Sequence, residues 1–297
     1  MRSGLQNHFD VVVIVDWSAA GQRTSARNQK DSVWIGWRTA HNHDEHHFRT
    51  RAEGETFIVD FLAASRQNRQ RILAGFDFAF GYPQGFAERL TGEACAKSVW
   101  AWLAGHITDT PLNVNNRFVI ANQINQEFAR PGPFWSHPAS HRYSKLFAKK
   151  TGIDYPALGL QEYRQVERIA KGAKSAWMLC NPGSVGSQSL MGLPMIHRLS
   201  QQKDTAVWPF DRQDGESVVL AEVYPSLLSI KVATEVAADP GLVKDRAQVR
   251  LLARALFNLS QAGRLAPLFV TPAPPVSTEE GWILGAGHQA ALEDALA

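Results

Sequence analysis

Five consecutive β-branched residues, Val11-Val12-Val13-Ile14-Val15, follow Phe9-Asp10 and run directly into Asp16. A run without polar alternation predicts a strand buried on both faces, as at the centre of a sheet. The pattern recurs at Ile72-Leu73-Ala74-Gly75-Phe76, which ends in Asp77, and again at Val218-Val219-Leu220-Ala221, which ends in Glu222. Between the first two, Ser32–Arg38 reads as a second strand and Phe48–Arg51 as a third. The polar Gln22–Asp31 reads as a hairpin loop, and His41–His47 as a turn. Phe57, Ile58, Phe61 and Leu62 recur at helical spacing within Glu53–Gln67, and Glu53 and Glu55 suit a helix N-terminus. The opening is therefore β-β-β-α-β, with an aspartate closing its first and last strands.

The pattern changes after Tyr82-Pro83. Ala94–His106 reads as an apolar helix carrying Trp100 and Trp102, and Ile120, Ile124 and Phe128 mark another. Pro131–Pro138 cannot continue a helix. Helical spacing returns from Leu160 to Ile169. No low-complexity linker isolates this stretch, so residues 84–215 read as a mostly helical insertion within a single domain spanning 1–297. Asn181–Ser189 is rich in glycine and hydroxyls; it suits either a nest of amides for a phosphate or carboxylate, or a plain turn. It is not a P-loop, because no lysine follows its second glycine.

Asp245–Gln261 predicts a strong amphipathic helix, with Val249, Leu252, Leu256 and Leu259 on one side. Arg246, Arg250 and Arg254 form a row on another face, fit for phosphates or simply for solvent. Prolines 272, 274 and 275, then Ser277-Thr278-Glu279-Glu280, predict a capped final helix led by two acids.

Composition adds little constraint. The chain has 297 residues, 44% hydrophobic and 20% charged, with a net charge of +3. That balance is mildly basic and compatible with an anionic partner without demanding one. Cys95 and Cys180 have no paired spacing and suit a reducing cytoplasm. No apolar core marks Met1–His8 as a signal peptide, and no run approaches membrane-helix length, so a cytoplasmic protein without membrane contact is expected. Four histidines fall within 41–47, but one turn makes a poor zinc cage.

The chemistry concentrates at the strand ends. Ligands of open α/β sheets collect beyond the carboxyl ends of parallel strands. Adjacent strands delivering Asp16 and Asp77 would set two carboxylates together, a costly arrangement unless a divalent cation neutralises it. Ser18, Ser184 and Ser187 are the candidate substrate-binding hydroxyls nearby in this scheme.

The β-β-β-α-β order is the opening of the ribonuclease H-like fold, a mixed central sheet flanked by helices. Glu222-Val223-Tyr224-Pro225, Lys244-Asp245-Arg246, the strand-end acids and the acid-led tail together resemble the domain-of-unknown-function 429 family, predicted ribonuclease H-like nucleases. The resemblance covers residues 10–83 and 217–290. It implies two-metal phosphodiester hydrolysis with Mg²⁺ or Mn²⁺: Asp16 bridging, Asp77 and Glu222 or Glu280 completing the sites. Arg246, Arg250, Lys149 and Lys150 would then meet a nucleic-acid backbone. Two other readings stand beside it. One is a binding or phosphotransfer protein of actin-like ATPase type, acting on a small phosphorylated metabolite. The other is a non-catalytic scaffold.

Overall fold

The computed structural model describes residues 7–297 apart from 28, 182 and 271. Residues 1–6 of the expected leaderless start, and Pro182 of the glycine-rich segment, lie outside the described residues. The fold is α/β. Six strands, β1 (Val11–Asp16), β2 (Val33–Arg38), β3 (His43–Phe48), β4 (Ile72–Phe76), β5 (Thr205–Trp208) and β6 (Val218–Glu222), form one mixed sheet ordered β3-β2-β1-β4-β6-β5. β1, β4, β6 and β5 run parallel, whereas β2 and β3 are antiparallel to their neighbours.

Nine α-helices are assigned among the described residues: α1 (Arg51–Gln67), α2 (Phe86–Thr91), α3 (Ala96–His106), α4 (Arg117–Gln126), α5 (Gln165–Ile169), α6 (Gly186–Ser200), α7 (Ser229–Ala238), α8 (Lys244–Gln261) and α9 (Gln289–Asp294). They cover both sides of the sheet, which explains the unbroken apolar run of β1. Val11, Val13 and Val15 point into a core shared with α1, α3 and α6, while Val12 and Ile14 point into a second core built on α8. α8 packs closely on β2: a Cβ on Gly36 would meet Val249 Cγ2 at 2.8 Å, so only glycine fits without displacement. None of the helices among the described residues is long and apolar enough to cross a membrane.

Several expectations are corrected. The histidine stretch is the edge strand β3, not a turn, and β3 ends at Phe48 rather than beginning there. Thr50 caps α1 through a capping box with Glu53, so the helix claims the chain from Arg51. His46 lies against Phe57, at a ring separation of 5.4 Å, and Phe48 packs on the same ring at 5.0 Å. The strand therefore gains an aromatic contact that its polar composition hides. The stretch Leu160–Ile169 is helical only in α5. Thr205–Trp208, inside the span read as insertion, joins the sheet edge as β5.

The tail does not form an acid-led final helix. Val276–Glu280 makes a single π-type turn, and the helix resumes only at α9. Gly281, Gly285 and Gly287 have φ of +73°, +88° and +81°, left-handed conformations that stop propagation. Between them, Ile283 pairs with Glu222 as an isolated bridge.

Candidate active site

Register brings the first two acids together. Val15 pairs with Phe76 across the parallel β1–β4 ladder, and the Asp77 amide continues it to the Val15 carbonyl at 3.1 Å. Asp16 and Asp77 thus leave neighbouring central strands side by side, and each carboxyl group bears on the other's ionisation. The Trp17 amide donates to Asp77 Oδ1 at 2.9 Å and fixes that group's orientation. Burial, then the Asp77 charge and then Asp245, raise the Asp16 pKa well above the carboxylate range. Burial also pushes Asp77 up to about 7, opposed by the Trp17 amide and the Asp16 hydrogen bond. Both shifts run toward the protonated form, the direction expected where carboxylates are buried together without a counter-charge.

A third carboxylate comes from an unexpected position. Asp245 lies in the first turn of α8, and its charge bears on both Asp16 and Asp77. Its own pKa is raised by burial and by Asp31, with Lys244 and Lys30 opposing. Asp245 stands in the Lys244-Asp245-Arg246 stretch that helps carry the family resemblance, but sequence alone does not place it among the site acids, because it reads as an ordinary N-terminal helix acid. The available signal was that α8, rather than the tail, is the long amphipathic helix packed on the sheet.

These acids open into a cavity of about 930 Å³ between the strand ends, the loop after β1 and the start of α6. The loop is held from below. Ser18 Oγ donates to the Asp31 carbonyl, and the buried Arg51 Nη1 donates to the carbonyls of Ser18 and Ala20 at 3.1 and 2.8 Å. Arg51 is itself fixed by Asp109 at 2.6 and 2.7 Å. Ser18 therefore lines the cavity with its hydroxyl committed to shaping the loop.

On the opposite wall, Gly186 opens α6 where a Cβ would sit 2.5 Å from the Ala176 carbonyl. This close approach brings Gln188 Nε2 to the Trp17 carbonyl at 2.7 Å and Ser189 Oγ to the Ala79 amide at 3.1 Å. Ser184 lines the cavity. Ser187 is buried, donates to the Leu179 carbonyl at 2.6 Å and accepts from Arg117 Nε at 3.0 Å. Arg117 is the second cavity residue that inspection of the sequence did not place in the site; no motif surrounds it.

The remaining candidates have other partners. Glu222 ends β6, but Arg164 takes both its oxygens, at 2.6 and 2.8 Å, and the Phe80 amide adds a third bond at 3.0 Å. Glu280 accepts from the Gln165 and Gln84 amides at 2.8 and 3.3 Å, pinning α5 and the loop after β4 to the tail. Arg246 pairs with Glu45 at 3.0 Å and Arg250 pairs with Glu235; neither lines the cavity. In the insertion, Lys150 pairs with Glu162 at 2.9 Å, and Lys149 also lies away from the cavity.

Among the described residues, no three His, Cys, Asp or Glu side chains are arranged to hold a metal ion by themselves. The donor chemistry nonetheless fits a hard divalent cation bound incompletely by protein. Asp16 and Asp77 would offer oxygen ligands from fixed strand ends, with Asp245 adding charge, and Mg²⁺ commonly takes only one or two carboxylates, with water and substrate phosphate as its other ligands. Comparison with protein-family models, curated proteins and solved structures returned no match to this chain.

Proposed function

We propose that this chain is a divalent-cation-dependent phosphoester hydrolase on a ribonuclease H-like scaffold, with Asp16 and Asp77 as its central acids. The observation that carries this reading is the pair of carboxyl groups, both raised in pKa, at the cavity end of adjacent parallel strands. The strand order, with β2 antiparallel beside β1 and β4 parallel on its other side, supports the scaffold. So does its agreement with the resemblance to the domain-of-unknown-function 429 family.

In this reading Asp16 and Asp77 hold the cation, and Asp245 strengthens the local negative potential. Glu222 and Glu280 hold the walls in place. A divalent cation at such a site polarises a phosphoryl group and acidifies the attacking water. The Trp17 amide keeps Asp77 Oδ1 oriented so that little reorganisation accompanies binding. A proton held by these raised acids is the one a cation displaces, which makes cation affinity rise with pH.

A second reading, a binding or phosphotransfer protein for a small phosphorylated molecule, draws on the walled cavity. Its volume of about 930 Å³ lies within the range of small-molecule sites, roughly 300–1,000 Å³. Thermal melts with and without millimolar Mn²⁺ test the cation site common to both. Mn²⁺ is expected to raise the wild-type melting point; at about 100 times its Kd the gain is about 2.7 kcal/mol. Asp16→Asn and Asp77→Asn should fold, lose that response and lose any Mn²⁺-dependent hydrolysis. A wild-type melt indifferent to Mn²⁺ would leave the scaffold interpretation instead.

A further inference from the structure

The cavity carries an arginine that forms no ion pair among the described residues, although Asp109 and Cys180 lie near enough to favour its charge. Arg117 opens α4 and is half-buried in the wall facing the sheet. Its Nε donates to Ser187 Oγ at 3.0 Å, its Nη1 donates to Asn115 Oδ1 at 2.7 Å, and its plane lies over the Phe118 ring at 4.4 Å. All three partners are neutral. Among the described residues Arg117 forms no ion pair, and its Nη2 has no acceptor. The two fully buried arginines differ: Arg51 pairs with Asp109, and Arg164 with Glu167 and Glu222. Burial and the nearby Arg51 charge lower the Arg117 pKa to about 10, so it stays cationic at neutral pH.

A half-buried cation oriented by neutral groups, with one nitrogen open to a cavity, is arranged to receive an anion from outside the chain. The same wall presents the start of α6. Its first turn has no capping side chain, and the Ser187 and Gln188 amides have no acceptor among the described residues. Ser187 joins the two features, because its hydroxyl positions the guanidinium. Asp16 and Asp77 line the same cavity, so it presents both a cation-seeking pair and an anion-seeking group.

We infer that Arg117 anchors the phosphate of a nucleotide-sized phosphoester in this cavity, rather than the backbone of a duplex. The choice of phosphate rests on the phosphoester reading above. The size follows from the walls: the loop after β1, residues including Gly172, Cys180, Ser184 and Gln188, and the first turn of α8 line a half-open cavity of about 930 Å³. A duplex needs an open basic track with several cations along it, whereas Arg246 and Arg250 on the outer face of α8 are already paired.

Binding to the full chain, freed of metal with EDTA, is measured by calorimetry with inorganic phosphate, with adenosine 5′-monophosphate and with a short DNA duplex. Phosphate should bind, the mononucleotide should bind more tightly, and Arg117→Gln should weaken both at least about tenfold, the scale of one lost charge-assisted hydrogen bond. Arg117→Lys should retain part of the affinity. Ser187→Ala, which leaves the charge but removes its guide, should weaken binding by a smaller factor and covers the case where Arg117→Gln fails to fold. Unchanged affinity in folded Arg117→Gln, or in Ser187→Ala where Arg117→Gln does not fold, would overturn the anchor. A mononucleotide that gains nothing over phosphate, or duplex binding that depends on Arg117, would overturn the assigned size. Asp77→Asn separates this claim from the cation site: it should lose the Mn²⁺ response yet still bind phosphate without metal, at least as tightly as the wild type because one acid has gone from the cavity. Loss of the Mn²⁺ response alone sinks hydrolysis but not the anchor.

Discussion

Three neighbouring parallel strands end in acids, yet the molecule treats them in two opposite ways. At β6, Glu222 is 3% exposed and meets Arg164, itself 1% exposed, while Glu167 closes the other side of the guanidinium at 2.9 Å. Burial alone would lower the Arg164 pKa, but Glu222 and Glu167 together hold it above its ordinary value. At β1 and β4, Asp16 and Asp77 have no arginine, only each other, amides and a third acid. The first group is a closed ionic knot tying α5 and the tail to the sheet through the Glu280 carbonyl as well. The second is an open charge problem facing a cavity. The same position in the fold therefore serves structure where a counter-ion is built in, and is left available for chemistry where none is.

The largest effect expected from this contrast is on the knot. Arg164→Met strands two buried carboxylates, a loss of the kind that typically costs about 3–5 kcal/mol. Urea denaturation measures it. Adding Glu222→Gln to Arg164→Met should recover part of the loss, because the stranded charge goes with it. A single-variant cost below about 1 kcal/mol would mean that water reaches Glu222 and that the two acid groups differ less than their burial indicates.

Asp77 should behave in the opposite sense. Folding lifts its pKa to about 7, from about 3.9 in an unfolded chain. Between those values the folded state binds the extra proton, so this contribution to stability is complete below about pH 4 and lost as pH rises through 7. Other carboxylates superimpose their own trends, so the quantity to follow is wild-type stability minus that of Asp77→Asn. That difference should fall with pH, at up to about 1.4 kcal/mol per pH unit for one full proton. A flat difference would show that Asp77 carries no such proton. Saturating Mn²⁺ should abolish the slope in the wild type by taking the proton's place.

How much of this could be read along the chain depends on whether the cause is local. β1, β4 and β6 were legible because burial on both faces writes an unbroken apolar run, and α8 because one buried face writes a period of 3.6. β3 was misplaced because an edge strand needs little apolar character, and its aromatic support comes from Phe57 on α1. β5 has only four residues. The partnership of Glu222 was invisible for a different reason: Arg164 lies 58 positions away, in a loop with no motif. Asp245 and Arg117 likewise acquire meaning only when α8 and α4 bring them to the cavity. Strand-end acids could thus be located along the chain, but their neutralisation could not.

The smallest effect expected is on the outer face of α8, where the arginine row tests whether charge is read anywhere but in the cavity. Arg250 pairs with Glu235, and Arg254 Nη2 donates to the Leu296 carbonyl at 3.3 Å. A surface ion pair contributes about 0–1 kcal/mol, and a single bond to a carbonyl no more than that, so Arg250→Ala and Arg254→Ala should each shift stability by about 1 kcal/mol or less. Neither should alter the salt dependence of any nucleic-acid binding, since Arg250 is already paired with Glu235 and Arg254 is turned to the Leu296 carbonyl. The measurement is log Kobs against log salt for wild type and the double variant with duplex DNA, where each phosphate contact contributes a slope of about 0.9. Coincident slopes leave the row as a solvated, self-neutralised face and the cavity as the place where unpaired charge remains. A slope flattened by about two contacts would show that Arg250 exchanges Glu235 for phosphate, and the division between paired and unpaired charge would then have to be redrawn to include α8.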